Sequence, residues 1–221
     1  MADITPVIQL LMDFAPRGEP LDTAFLAGYG VTPADAADLV SGGWLRRLSD
    51  DACLLRGDSP ALDGTVAYFA RRIPGLHVGG KAALDMRGIR YYLYARPRIN
   101  LWGDVPFEFP AWATELLLLT YEHERLFDDA LRVAFAISAL PGGSARMPVA
   151  ATERAILEYL AGSVHDERLR EDNVNLVGML RNIRPGVLQT LVDHCQRRDV
   201  VWALKLIGED EGFDWARRLE C

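Results

Sequence analysis

Apolar residues recur at helical spacing through the first forty positions. Val7, Ile8, Leu10, Leu11 and Phe14 make one stripe, as an amphipathic helix requires. Thr5-Pro6 suits its start and Ala15-Pro16-Arg17-Gly18 its end. Pro20 to Gly28, with Leu21, Phe25 and Leu26, predicts a second short helix. Thr32-Pro33-Ala34-Asp35 opens a third, with Thr as cap, Pro in the first turn and an acid three residues after the cap. Ala36, Leu39 and Val40 form its inner face, and Ser41-Gly42-Gly43 stops it. The pattern then changes to strands. Trp44 to Leu48 and Ala52 to Arg56 pair around a turn at Ser49–Asp51. Three helices followed by a hairpin predict a winged helix-turn-helix over residues 1–57. Thr32 to Ser41 is then the groove-facing helix and the Ser49–Asp51 turn is the wing.

A helix from Ala61 to Arg72 links this module, through residues 58–73, to the rest. Pro74 to Tyr94 reads as a short strand, a Gly79-Gly80 turn, a short helix, a stop at Gly88 and a second strand over Arg90–Ala95. Further strands are expected at Arg98–Trp102, Glu115–Glu122 and Leu131–Ser138. From Thr152, read as a cap, the spacing becomes helical, through Ala155, Ile156, Tyr159 and Leu160 and then three more helices before a short one at Trp215. The whole is predicted to be α+β: a winged helix-turn-helix, then a mixed α/β domain over 74–221 ending in a helical segment.

Half of the 221 residues are hydrophobic, enough for one large or two small cores. The net charge of −7 makes any nucleic-acid binding a matter of a local basic patch. Through residue 57, four arginines face eight carboxylates. The basic residues available to that module are Arg17, Arg46, Arg47 and Arg56. Its third helix carries Asp35 and Asp38 and no basic residue, which opposes phosphate contact. Cys53, Cys195 and Cys221 have no metal-ligand spacing, so a reducing cytoplasm is the expected setting. Apolar runs such as Leu116 to Leu119 are far too short to span a bilayer.

No cofactor, metal or catalytic motif emerges. Gly79-Gly80-Lys81 before a helix is a candidate anion site, because N–H groups at a helix start attract anions. It lacks the phosphate-loop spacing, and a tight strand-to-helix turn is the better explanation. A nucleotidyltransferase would follow such a turn with paired carboxylates for a divalent cation. The strand expected there, Arg90-Tyr91-Tyr92-Leu93-Tyr94, has none. His77, His123, His165 and His194 lack zinc-type partners.

Four stretches together resemble the AbiEi-type antitoxins, regulators of type IV toxin–antitoxin (abortive infection) systems. They are Gly43 to Leu48, Val78 to Leu84 with Arg87 to Leu93, Thr152 to Glu158, and Leu180 to Pro185 with Leu188 and Leu191. The resemblance implies a non-enzymatic regulator with a DNA-binding winged helix and a C-terminal antitoxin domain. It implies binding to double-stranded operator DNA and a nucleotidyltransferase-type toxin as functional partner. Thr32 would begin the groove-facing helix, and Arg46, Arg47 and Arg56 would meet the DNA backbone, with Arg17 nearby. Relatives are expected to continue past Cys221 with a Gly-rich tail. Two alternatives are a protein-interaction module on the same scaffold and a degenerate nucleotidyltransferase-like domain that binds nucleotide through Gly79, Gly80 and Lys81.

Overall fold

The computed structural model of the chain describes residues 5–90 and 98–221. It is mixed α+β, with eleven α-helices and two sheets among the described residues. Two compact units are evident: residues 1–72 with 108–117, and residues 73–107 with 118–221.

In the first unit, α1 (Thr5–Phe14), α2 (Thr23–Gly28) and α3 (Pro33–Ser41) precede an antiparallel hairpin of β1 (Leu45–Ser49) and β2 (Ala52–Leu55). Their apolar faces meet in one cluster of Leu11, Ala15, Leu21, Leu26, Val31, Leu39, Leu45 and Leu55. The second helix is shorter than the Pro20–Gly28 span read from sequence. Asp22 caps it by accepting from Phe25 N at 2.7 Å, while Leu21 forms a two-bond antiparallel bridge to Cys53. A capping carboxylate thus divides the segment into bridge and helix.

The next helix, α4 (Leu62–Ala70), is buried along Gly64 to Phe69. It can lie this close because Gly64 has no side chain: a Cβ there would stand 2.5 Å from Gly18 O. Trp112, on α6 (Ala111–Leu116), stacks on Phe69 with centroids 5.5 Å apart. The strand expected from Glu115 therefore begins later. Pro110 sets up a helix through Leu116, and only Leu118–Glu122 is extended.

The second unit holds a five-stranded sheet. Its members are β3 (His77–Val78), β4 (Arg98–Trp102), β5 (Leu118–Glu122), β6 (Ile137–Ser138) and β7 (Val149–Ala150), in the order β5-β4-β3-β7-β6. β4 runs antiparallel to β3 and parallel to β5. The strand expected over Arg90–Ala95 falls almost wholly outside the described residues. Of Leu131–Ser138, only Ile137 and Ser138 are strand.

Against the sheet lie α5 (Gly80–Met86) and the central helix α7 (Thr152–Ser163). Thr152 is the first helical residue rather than the cap, which is Ala151 and makes no side-chain bond. Around α7 pack α8 (Arg170–Gly178), α9 (Pro185–Asp193) and α10 (Arg198–Asp210), with α11 (Asp214–Arg217) on α10. No described helix is long and apolar enough to cross a membrane.

Candidate functional site

The exposed helix of the first unit is fixed by its own first turn. Thr32 Oγ1 accepts from Asp35 N at 3.2 Å, and the Asp35 carboxylate accepts from Thr32 N at 3.0 Å and Thr32 Oγ1 at 2.6 Å. These bonds hold the Asp35 carboxyl below its ordinary range. One of the helix's two aspartates is thus oriented by the cap, with its charge retained, while Asp38 makes no such bond. The rest of the exposed face is small: Pro33, Ala34, Ala37 and Ser41. Behind it, Leu39 anchors α3 in the core, and Trp44 N donates to Leu39 O at 2.9 Å, setting the hairpin directly after the helix.

The four arginines singled out from sequence are all exposed, and two of them converge. Arg17 makes a forked contact with the Asp58 carboxylate, whose Oδ2 also accepts from Gly18 N at 2.9 Å. Arg46, on β1, donates to the Asp58 carbonyl at 3.3 Å. Arg47 is 3.8 Å from Asp50, an exposed pair that contributes little. Arg56 follows β2 with its guanidinium 5.8 Å from the Trp44 ring centroid. The sequence reading missed Trp44 and Asp58, the side chains that orient Arg56 and Arg17. An exposed Trp beside a glycine stop was the available signal for the first, whereas a loop aspartate 41 residues from Arg17 offered none.

Gly79, Gly80 and Lys81 also lie together, at the β3–α5 turn, but their polar groups are engaged. Gly80 N donates to Glu158 Oε2 at 3.1 Å, and Lys81 pairs with Asp85. The carboxylate seated on this turn is the chain's own. Glu158 is fully buried on α7 and its Oε1 also accepts from His77 Nε2 at 2.8 Å and Arg154 Nε at 2.7 Å. His77 Nδ1 lies 2.7 Å from Gly75 O, so both ring nitrogens face acceptors. Burial pushes the Glu158 carboxyl up, but His77 and then Arg154 outweigh it and hold the group below the usual range. A Cβ on Gly79 would stand 2.5 Å from Trp102 Cδ1 and closer still to Glu158. Gly79 is therefore required for this cluster to close. A void of about 70 Å³ adjoins His77 and Arg154. Among the described residues no group of three or more His, Cys, Asp or Glu is placed to hold a metal ion.

Residues 5–95 match the transcriptional regulator, AbiEi antitoxin N-terminal domain, and residues 96–221 match the transcriptional regulator, AbiEi antitoxin of type IV toxin–antitoxin systems. The chain belongs to the AbiEi antitoxin family of transcriptional regulators. It is similar in fold to the crystal structure of the RV2827C protein from Mycobacterium tuberculosis. The two are 14% identical at a TM-score of 0.55, over 98% of this chain and 80% of that one. No curated protein matches the sequence.

Proposed function

We propose that the first unit is a winged helix-turn-helix that binds double-stranded operator DNA, and that the chain represses its own toxin–antitoxin operon. In this reading residues 1–57 are the DNA-binding module, residues 58–73 link it onward and residues 74–221 carry the antitoxin function. The chain acts in the cytoplasm, without catalysis of its own, opposite a nucleotidyltransferase-type toxin. The observation that carries the proposal is the exposed, capped α3 with Asp35 turned into its own cap, bordered by Arg46, Arg47 and Arg56. Small side chains let a helix approach the floor of a groove, while exposed arginines meet the phosphates. Helix order supports the fold assignment, as does the Leu21–Cys53 bridge, which ties one residue of the chain before α2 to the hairpin.

The test is an electrophoretic mobility shift on the DNA upstream of the gene, at 50 and 200 mM salt. Specific retardation that weakens steeply with salt is expected. No retardation at the lower salt rejects the DNA role. In that event the interaction-module reading gains from Leu10 and Phe14, one turn apart on α1 and 39% and 69% exposed. A nucleotide site at Gly79–Lys81 gains nothing from the geometry, because Glu158 and Asp85 occupy its donors.

A further inference from the structure

The second unit contains a cleft of about 620 Å³, and every described residue that lines it belongs to that unit. That volume is in the range of sites for small organic ligands, roughly 300–1,000 Å³. Trp102, at the end of β4, and Tyr159, on α7, give it aromatic surface.

Its charges are unequally satisfied. Three of the four cations lining it already have carboxylates: Lys81 with Asp85, Arg125 with Asp129, and Arg197 with Asp199 through bonds of 2.9 and 2.6 Å. Glu158, at the inner wall, is matched by His77 and Arg154. What remains is Arg98 against Glu122, Glu124 and Asp172, whose carboxylates have no hydrogen bond or ion pair within the described residues; Glu124 also attracts Arg197 through space, a cation that Asp199 already holds. Among the described lining residues the uncompensated charge is negative. A nucleoside triphosphate would bring several more negative charges to it. A cation gains from the carboxylates and from the electron-rich face of an indole.

We propose that this cleft binds an organic cation, an alkylammonium or guanidinium group seated against Trp102 and held by Glu122, Glu124 and Asp172. The inference does not depend on the DNA-binding reading. Two sources share this chemistry: a free polyamine, and a basic side chain of a peptide.

Isothermal titration calorimetry of the full chain at 150 mM salt tests it, with spermidine, a blocked tri-arginine peptide and magnesium-ATP as probes. One of the two cations is expected to bind saturably at one site. The triple variant Glu122→Gln/Glu124→Gln/Asp172→Asn should weaken that binding at least tenfold. The variant Asp210→Asn/Glu211→Gln/Glu220→Gln removes the same charge from exposed positions outside the cleft, and should change it less than twofold. Glu122→Gln alone breaks no side-chain hydrogen bond or ion pair among the described residues and should lose threefold or more, which keeps the test open should the triple variant not fold. Saturation by spermidine identifies the free polyamine as the source, and saturation by the peptide alone identifies a side chain. The proposal is overturned if neither cation saturates, if both triple variants weaken binding equally, or if magnesium-ATP binds more tightly than either cation.

Discussion

His77 Nε2 and Glu158 Oε1 lie 2.8 Å apart although 81 residues separate them in the chain, and neither side chain is more than 1% exposed. Arg154 completes the cluster one helical turn before Glu158. Removing the acid leaves an imidazole between a carbonyl and nothing, and a buried guanidinium without its counter-ion. Breaking such a buried pair from one side costs about 3–5 kcal/mol. Glu158→Ala is expected to lower the unfolding free energy of the second unit by that order, read from urea denaturation. A loss below about 1 kcal/mol would show that water replaces the carboxylate.

The same chemistry fixes the response to acid. Burial raises the Glu153 carboxyl, but the forked bonds from Arg184 at 3.0 and 2.8 Å and the Arg184 N–H at 2.9 Å hold it below its ordinary 4.5. Glu158 is lowered likewise. Folded-state values below the unfolded ones mean the unfolded chain binds more protons as pH falls. The stabilisation is full above the ordinary value and drains away as pH drops toward the folded ones. Unfolding free energy should therefore fall between about pH 5 and pH 3. Arg184→Ala should flatten that slope; an unchanged slope refutes the Glu153 assignment.

Two glycines predict opposite signs. Gly79→Ala forces a Cβ into Trp102 and Glu158, and overpacking of this kind costs about 1–3 kcal/mol. Gly162, within α7, has nothing within 4 Å of where a Cβ would stand. Gly162→Ala should stabilise by roughly 0.5–1 kcal/mol through helix propensity. Thermal unfolding of the pair settles the point, and a shift of the same sign in both defeats the packing argument.

For DNA, the charges on α3 and the hairpin give a graded series. Arg46→Ala and Arg56→Ala should each weaken binding similarly across sequences and reduce the salt slope by about one. Asp38→Asn should strengthen binding, since it removes an outward negative charge. Asp35→Asn should strengthen it less, because that change also weakens the capping box that sets the helix start. Mobility shifts across a salt series measure all four, and an Asp38→Asn variant no tighter than wild type would place α3 away from the phosphates.

Much of the local structure was legible because local chemistry specified it. Thr32, Pro33 and Asp35 form the capping box their spacing announces. What failed was decided at long range. Leu131 to Ala136 alternates like a strand, yet the carbonyls of Val133 and Phe135 accept from Arg154 Nη1 at 3.2 and 3.0 Å rather than from a neighbouring strand. Ala136 then adopts φ 57°, a left-handed turn that ends the run before β6. The run from Glu115 to Leu119 carries no period that separates helix from strand, and Pro110 decided it. Arg154 and Glu158 stand four residues apart on α7, a spacing whose commonest meaning is an exposed pair, so nothing in the sequence marks them as buried. Their burial depends on His77 and on two glycines in a distant turn. Family membership was legible for a different reason: it rests on the order of several motifs along the chain, which no single contact has to reveal.

Asp58 gives the first unit an internal rival for any phosphate. Its side chain is 7% exposed while the Arg17 it holds is 55% exposed, so the cation faces solvent with its anion already in place. A phosphate reaching Arg17 must exchange with that carboxylate instead of adding to it. Contact at Arg17 then releases fewer counterions than a free arginine would, and the loop at Asp58 becomes a point where one substitution, Asp58→Asn, alters the electrostatics of the whole face.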